Sequence, residues 1–129
     1  MPVIELSFVE NKKEVDFAYI ADALTSLTAD ILYKDPKATL VKINEVKSET
    51  TFAGSEEQKH YFDLNIRITK DTNSKEEKAL WISAVNHFMN KYLIIDKDQT
   101  LNYITVQEIS ADSWGYGGLT QFSRNGKRD

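Results

Sequence analysis

The hexapeptide VKINEV at residues 41–46 decides the fold, because a matching hexapeptide, ITVQEI, occurs roughly sixty residues later at positions 104–109. Each alternates apolar with polar residues, which is the pattern of a strand that buries one face. The match continues beyond the hexapeptides, where Gly54 corresponds to Gly117. A repeat of this length indicates that one structural unit occurs twice in the chain.

The first half of the chain predicts a strand, a helix and a second strand, in that order. Residues 3–8 alternate as a strand, and Asn11 and Glu14 have the spacing of a capping box before the helix. Asp35-Pro36 is expected to stop that helix, since a residue before proline is pushed away from helical geometry. The strand's predicted core face consists of Ile4, Leu6 and Phe8, and the helix's apolar stripe of Val15, Ala18, Ala21, Leu24, Leu27 and Ile31.

The second half predicts the same order. A strand at residues 62–69 is followed by a capping-box signature at Ser74 and Glu77, a helix, and a closing strand at residues 103–109. The strand alternates Leu64, Ile66 and Ile68 against Asp63, Asn65 and Arg67. The helix carries Trp81, Ala84, Val85, Phe88 and Tyr92 on its apolar side.

These patterns predict an α+β fold of duplicated β-α-β units. A helical crossover makes the two strands of each unit parallel, and two units joined edge to edge give a four-stranded sheet with two helices on one face. We expect one domain over residues 1–129, built from repeats at about 1–57 and 58–118, with a polar, frayed tail after Leu119. The uncovered sheet face is expected to meet a partner subunit.

Composition excludes several classes of function. The net charge of −4 and the scattered 16 Lys and Arg residues argue against nucleic acid as the partner. With no cysteine there is no disulfide, thiol catalysis or thiolate-bound metal, and His60 and His87 are too far apart in sequence to suggest a metal site, so we expect no cofactor. No apolar run approaches the roughly 18 residues that span a bilayer, and no signal peptide is evident, which predicts a soluble cytoplasmic protein.

Pro2 is the candidate catalytic residue. It stands directly before the first strand, so removal of Met1 would leave a secondary amine at the edge of a sheet. A free α-amino group has a pKa of about 7.7–8.0, and an apolar pocket lowers the pKa further because it disfavours the charged ammonium. Such an amine suits general acid-base work near neutral pH.

Three features together resemble the tautomerase superfamily, whose founding member is 4-oxalocrotonate tautomerase. They are Met1-Pro2 leading into a strand, the turn from Trp114 to Gly118 after the strand end at Glu108, and the duplicated β-α-β unit. The resemblance implies a tautomerase or MIF-like fold and a homotrimer of fused double repeats. It also implies a cofactor-independent isomerase that interconverts keto and enol forms of a small 2-oxo acid, with Pro2 as general acid and base.

The resemblance also suggests residues that bind the substrate. Lys12 matches the family's carboxylate-binding arginine, although a solvated lysine at a helix entry is equally ordinary. A second family arginine has no equivalent, and Tyr103 in that register is a hydrogen-bond donor for an oxyanion or else a packing residue. Trp114 matches the aromatic residue of the apolar wall. Arg67 and Lys70 are alternative cations.

Further matches and alternatives remain open on the sequence. The second half has His60 or Tyr61 at the place of Pro2, so only one reactive amine per subunit is expected. Relatives with this scaffold hydrate, dehalogenate or decarboxylate three-carbon acids, but the segment 70–73 replaces the arginine pairs used there. A non-catalytic, ferredoxin-like ligand-binding module is the third possibility. The mass of the purified chain would show whether Met1 is removed.

Overall fold

The computed structural model describes residues 2–9, 14–93 and 101–125, and it contains two β-α-β units in succession. The first unit consists of β1 (Val3–Val9), α1 (Phe17–Leu32) and β2 (Leu40–Glu45). The second consists of β5 (Tyr61–Thr69), α2 (Lys75–Leu93) and β6 (Ile104–Ile109). Each unit is followed by a short hairpin, formed by β3 (Phe52–Ala53) with β4 (Glu56–Glu57) and by β7 (Gly115–Tyr116) with β8 (Leu119–Thr120), and a short helix α3 (Gln121–Asn125) follows the second.

The four long strands form one mixed sheet in the order β2-β1-β5-β6. β1 is parallel to β2 and β5 is parallel to β6, as helical crossovers require, whereas the two units meet through antiparallel β1 and β5. Leu6 pairs with Leu64 near the middle of that junction. The predicted α+β fold of duplicated units is therefore confirmed.

The hydrophobic core lies between the sheet and both helices. β1 and β5 contribute side chains that are almost completely buried, namely Ile4, Leu6, Phe8, Phe62, Leu64, Ile66 and Ile68. The two helices contact each other, and the indole N–H of buried Trp81 donates to Thr28 Oγ1 at 3.1 Å. This bond satisfies both polar groups inside the core. Both helices therefore cover the same sheet face, as the alternation of the strands predicted.

Helix α1 differs from its prediction at both ends. It begins at Phe17, because the Asp16 carboxylate accepts the Tyr19 N–H at 3.1 Å and caps the helix there. The proposed capping residue Glu14 lies before the helix, and Asn11 lies outside the described residues. The helix ends at Leu32, three residues before Asp35-Pro36, with Tyr33 in the left-handed region at φ 59°.

The buried line of α1 also differs, because Ala18 is exposed. The helix fully buries Ile20, Leu24, Thr28 and Leu32, four residues apart, while the predicted Leu27 and Ile31 are partly buried against the core. The four-residue line brings Thr28 under the Trp81 indole. The prediction for α2 was correct, since Ser74 and Glu77 form a reciprocal capping box: Glu77 accepts the Ser74 N–H at 2.9 Å, and Ser74 Oγ accepts the Glu77 N–H at 3.1 Å.

The second face of the sheet carries charged and polar side chains. Glu5 on β1 lies 3.3 Å from Lys42 on β2 and 3.9 Å from Arg67 on β5. These pairs join neighbouring strands, but both are partly solvated and contribute little to the free energy of folding. Neither helix covers this face, which is consistent with a partner subunit there.

Residues 121–125 form a helix, whereas the segment after Leu119 was predicted to be frayed. α3 begins at Gln121, which is buried, and the Arg124 guanidinium lies 3.7 Å from the centre of the Tyr116 ring. Arg124 also donates to the Tyr116 carbonyl at 2.8 Å, so the helix is attached to the second hairpin. Within the described ranges, every helix is too short or too polar to cross a bilayer.

Candidate active site

Pro2 is buried at one end of the strands, where β1 and β2 begin and β5 and β6 end. We call this end of the sheet the Pro2 end. The Pro2 carbonyl accepts the Leu40 N–H at 3.1 Å. In an extended strand the nitrogen and carbonyl of one residue face the same neighbouring strand. The Pro2 nitrogen therefore faces the beginning of β2.

A pocket of about 360 Å³ lies at the beginning of β2, and we call it the β2 pocket. It is lined by Lys37, Ala38, Thr39, Leu40 and Tyr116. Its size lies at the lower end of the range for small-molecule sites, roughly 300–1,000 Å³. One cationic side chain, one phenol and two apolar side chains therefore line a pocket that includes Leu40, the residue bonded to the Pro2 carbonyl.

Lys37 is positioned by a short 3-10 turn over Pro36–Ala38. The Asp35 carboxylate accepts the Lys37 N–H at 2.9 Å and fixes the start of this turn. Sequence reasoning missed Lys37. The available signal was its position just before a strand that pairs with β1, which brings the loop beside Pro2.

Tyr116 comes from the glycine-rich turn that the sequence singled out. Gly117 and Gly118 have φ of 62° and 83°, which is the backbone geometry of the hairpin turn between β7 and β8. Gly115 is required for a different reason, since a Cβ there would lie 1.9 Å from the Leu119 carbonyl oxygen. The close hairpin and the Arg124 contacts hold Tyr116 against the β2 pocket.

Trp114 lies on the other flank of Pro2 and is half-buried. Its indole N–H donates to Thr69 Oγ1 at 3.2 Å. Thr69 is the last residue of β5, and the pairing of Val3 with Arg67 puts that strand end beside Pro2. The structure therefore brings Trp114 and Pro2 to the same end of the sheet.

Lys34 extends this flank and was also missed from the sequence. Its Nζ donates to Thr72 Oγ1 at 2.8 Å, and Thr72 Oγ1 donates to the Thr69 carbonyl at 2.6 Å. Burial lowers the pKa of Lys34, while the charges of Glu77 and Glu108 act in the opposite direction. The Pro2 end thus holds a second, partly desolvated lysine.

Tyr103 lies at the opposite end of the sheet, where β5 and β6 begin. We call this the Phe62 end. Its carbonyl accepts the Leu64 N–H at 2.9 Å, and 66% of its surface is exposed. Burial raises the pKa of Tyr61 and that of Asp63 on the same part of β5. One chain therefore does not bring Tyr103 to Pro2.

The remaining predicted residues fall in three places. Lys12 lies outside the described residues. Arg67 lies on the open sheet face beside Glu5, and Lys70 is exposed after β5. The sequence offered His60 or Tyr61 as the internal match to Pro2; when residues 41–46 are aligned with residues 104–109, the pairing register gives Phe62 instead.

Comparison with known proteins gives one curated relative at useful coverage. The chain is 34% identical over 55 residues to the probable tautomerase K2 of Dickeya dadantii (strain 3937). The matched region covers 43% of this chain and 79% of that protein. No protein-family model matches the chain.

Solved structures with the same fold cover nearly the whole chain. The symmetric trimer of the wild-type fused 4-OT Q0 has a TM-score of 0.82 at 14% identity, covering 95% of this chain and 98% of that one. Pt0534 inactivated by 2-oxo-3-pentynoate has a TM-score of 0.83 at 9% identity, with the same coverage. The macrophage migration inhibitory factor of Oncomelania hupensis has a TM-score of 0.76 at 13% identity, covering 93% and 82%.

The two kinds of similarity agree. The K2 match provides the sequence relationship, and the solved structures share the mixed sheet with both helices on one face. The chain therefore belongs to the tautomerase superfamily and has the fold of a fused 4-OT-like member.

Proposed function

We propose that the protein is a cofactor-independent, cytoplasmic keto-enol tautomerase of small 2-oxo acids, with the Pro2 amine as general acid and base. The observation that carries this proposal is the hydrogen bond from the Leu40 N–H to the carbonyl of buried Pro2, which puts Pro2 beside a residue that lines the β2 pocket together with Lys37. The proposal requires removal of Met1, because only then is this nitrogen an amine rather than an amide.

The reaction needs one proton carrier. The neutral Pro2 nitrogen removes a proton from the carbon next to the substrate carbonyl, the C–H electron pair forms the carbon-carbon double bond, and the carbonyl π pair moves to oxygen. The protonated amine then gives its proton to that oxygen, which completes the enol and regenerates the base. A well-placed general base contributes roughly 10²–10⁴-fold to such a rate.

The β2 pocket supplies the binding groups for an acidic substrate. The Lys37 ammonium attracts the carboxylate, although a lysine lacks the bidentate fork of an arginine and fixes its orientation less strictly. Ala38 and Leu40 are apolar and reduce access of water to the Pro2 nitrogen. Lys12 remains a second candidate for the carboxylate.

The other flank of Pro2 is proposed to stabilise the developing enolate. Lys34 places positive charge there, and Trp114 forms an apolar boundary that favours the uncharged amine. Such preorganised charge is worth more in a water-poor site than in bulk solvent.

We further propose that the enzyme is a homotrimer in which Tyr103 of one subunit reaches the Pro2 end of its neighbour. Two observations support this arrangement. Tyr103 is largely exposed at the Phe62 end, and neither α1 nor α2 covers the sheet face that carries Glu5 and Arg67. The fused 4-OT Q0 with the same fold is itself a symmetric trimer.

The test uses the Met-processed chain and its Pro2→Ala variant. We expect Pro2→Ala to lower the tautomerisation of phenylenolpyruvate or 2-hydroxymuconate at least about tenfold, because a primary amine is a less well-placed base. We also expect 2-oxo-3-pentynoate to label the Pro2 nitrogen of the processed chain, located by peptide mass spectrometry.

The matched control is the same chain with Met1 retained, which must be both inactive and unlabelled. Equal turnover by the processed and unprocessed chains would exclude Pro2 as the catalyst. Halogenated acrylates in the same assay would show whether a hydratase or dehalogenase activity is the stronger one.

A further inference from the structure

The two ends of the sheet repeat one backbone arrangement, and one end shows a side-chain contact to the strand nitrogen. At the Phe62 end, the Phe62 N–H donates to Asn102 Oδ1 at 3.0 Å. Asn102 lies two residues before β6. A side chain from the loop before β6 therefore accepts the N–H of Phe62, the second residue of β5. This contact replaces a regular ladder bond.

The pairing register identifies the equivalent residue at the Pro2 end. Ile4 pairs with Val41 in the first unit, as Leu64 pairs with Ile104 in the second. Two positions earlier on each strand, Pro2 corresponds to Phe62 and Thr39 corresponds to Asn102. Thr39 is half-buried, lines the β2 pocket and directly precedes Leu40, whose N–H bonds the Pro2 carbonyl.

The Thr39 hydroxyl is already committed as a donor. Its Oγ1 donates to the Asp35 carbonyl at 2.9 Å, across the 3-10 turn that carries Lys37. A hydroxyl has one proton and two lone pairs, so the same oxygen can still accept. Because the hydroxyl proton is used in the bond to the Asp35 carbonyl, the Thr39 oxygen can act toward an amine only as an acceptor.

We propose that Thr39 is a positioning residue for the Pro2 amine, whose N–H it accepts as Asn102 accepts the Phe62 N–H. This inference rests on the proposed function, since only a free Pro2 nitrogen carries an N–H. In the neutral amine the single N–H then points to Thr39, which leaves the lone pair directed at the substrate. In the protonated amine the same bond stabilises the charge.

The experiment measures the rate at which 2-oxo-3-pentynoate labels Pro2 in the Met-processed chain as a function of pH. Only the neutral amine reacts, so the midpoint of the profile reports the protonation of Pro2. In Thr39→Val, which keeps the shape but loses the acceptor, we expect the midpoint at lower pH. At a pH below the wild-type midpoint, the labelling rate of Thr39→Val, as a fraction of its own plateau rate, should be about tenfold higher than that of the wild type.

The conservative variant and a matched control separate this role from a structural one. Thr39→Ser should restore the wild-type midpoint. Thr51→Val is the control, because the Thr51 hydroxyl also donates to a carbonyl four residues earlier, that of Lys47, at 3.2 Å, but lies after β2. Its midpoint should equal that of the wild type. If Thr39→Val does not fold, Thr39→Ala is titrated instead.

Failure of this inference differs from failure of the proposed function. An unshifted midpoint in folded Thr39→Val or Thr39→Ala, with Pro2 still labelled, overturns the role of Thr39 and leaves Pro2 as the reactive amine. Absence of labelling at Pro2 in the wild-type processed chain at every pH overturns the proposed function itself.

Discussion

The Pro2 end and the Phe62 end have the same backbone but different chemistry. At the Pro2 end, the nitrogen of Pro2 lies near the start of β2, where a pocket contains Lys37 and the Tyr116 phenol. At the Phe62 end, the equivalent nitrogen is an ordinary amide whose N–H donates to Asn102. A nitrogen inside a chain can never be an amine, so only one end of a fused pair can keep the base.

The pockets at the two ends also differ in the charge of their lining residues. The pocket of about 450 Å³ at the Phe62 end is lined by Ala79, Ile82, Ser83, Asn86, Asn102, Tyr103 and Ile104. None of these residues carries a charge, whereas the β2 pocket includes a lysine. The described lining at the Phe62 end therefore offers no cation to a carboxylate, and we propose that its exposed Tyr103 phenol acts in the neighbouring subunit.

Mixing two defective variants tests that division of labour and has the largest expected effect. Pro2→Ala has a less well-placed base, and Tyr103→Phe lacks the donor; removal of one oxyanion donor costs about 10²–10³-fold in kcat. When the two variants are refolded together, about a quarter of the sites would combine intact Pro2 with intact Tyr103 from a neighbour. We expect activity well above that of either variant alone.

The control is the double variant, with both Pro2→Ala and Tyr103→Phe, mixed with wild type. Its activity is compared with that of each single variant mixed with wild type at equal amounts. Activity of the two-variant mixture that never exceeds the average of its components would mean that Tyr103 does not serve a neighbouring Pro2. The two ends would then be functionally independent.

Much of this fold follows from periodicity in the sequence. Ile4, Leu6 and Phe8 alternate with polar residues, and an alternating strand has a single way to bury its apolar side. Ser74 and Glu77 predicted the start of α2 because two reciprocal bonds need that spacing. The start of α1 was mispredicted because Asn11 and Glu14 have a similar spacing, while Asp16 caps the helix two residues later.

The candidate site was harder to predict because tertiary pairing brings its residues together. Lys37 and Lys34 belong to loop segments without periodicity, and only the alignment of β2 with β1 brings them to Pro2. Pro2 and Trp114 were identified by their chemistry and by the family resemblance. The separation of Tyr103 from Pro2 follows from antiparallel pairing of β1 with β5, which the order of elements alone does not specify.

Replacing Lys37 tests which lysine gives the Pro2 end its preference for acids. We expect Lys37→Met to raise KM for an acidic 2-oxo substrate about tenfold, because an ammonium-carboxylate attraction is lost, and to change KM for the corresponding ester little. Lys47→Met is the matched control, since Lys47 is exposed and lies after β2, away from the β2 pocket. Equal changes for acid and ester would assign the carboxylate to another cation, such as Lys12.

The smallest expected effect comes from removing the N-terminal caps of the two helices. The cap of α2 lies at the Pro2 end and that of α1 at the Phe62 end. Ser74→Ala removes one half of a reciprocal box and Asp16→Ala removes a single cap, so each should lower the free energy of unfolding by about 1 kcal/mol at neutral pH in urea titrations. The box at α2 also makes a pH-dependent contribution. The backbone N–H of Ser74, then the Asn73 side chain, lower the pKa of Glu77.

A carboxylate whose pKa is lowered by folding stabilises the fold above the ordinary pKa of glutamate, and this contribution disappears as pH falls through the lowered value. Glu77→Gln should therefore be less stable than wild type at pH 7 and approach it as the solution becomes strongly acidic. A constant difference between Glu77→Gln and wild type across that range would mean that the charge of Glu77 does not contribute, and that the box at the Pro2 end acts only through its geometry.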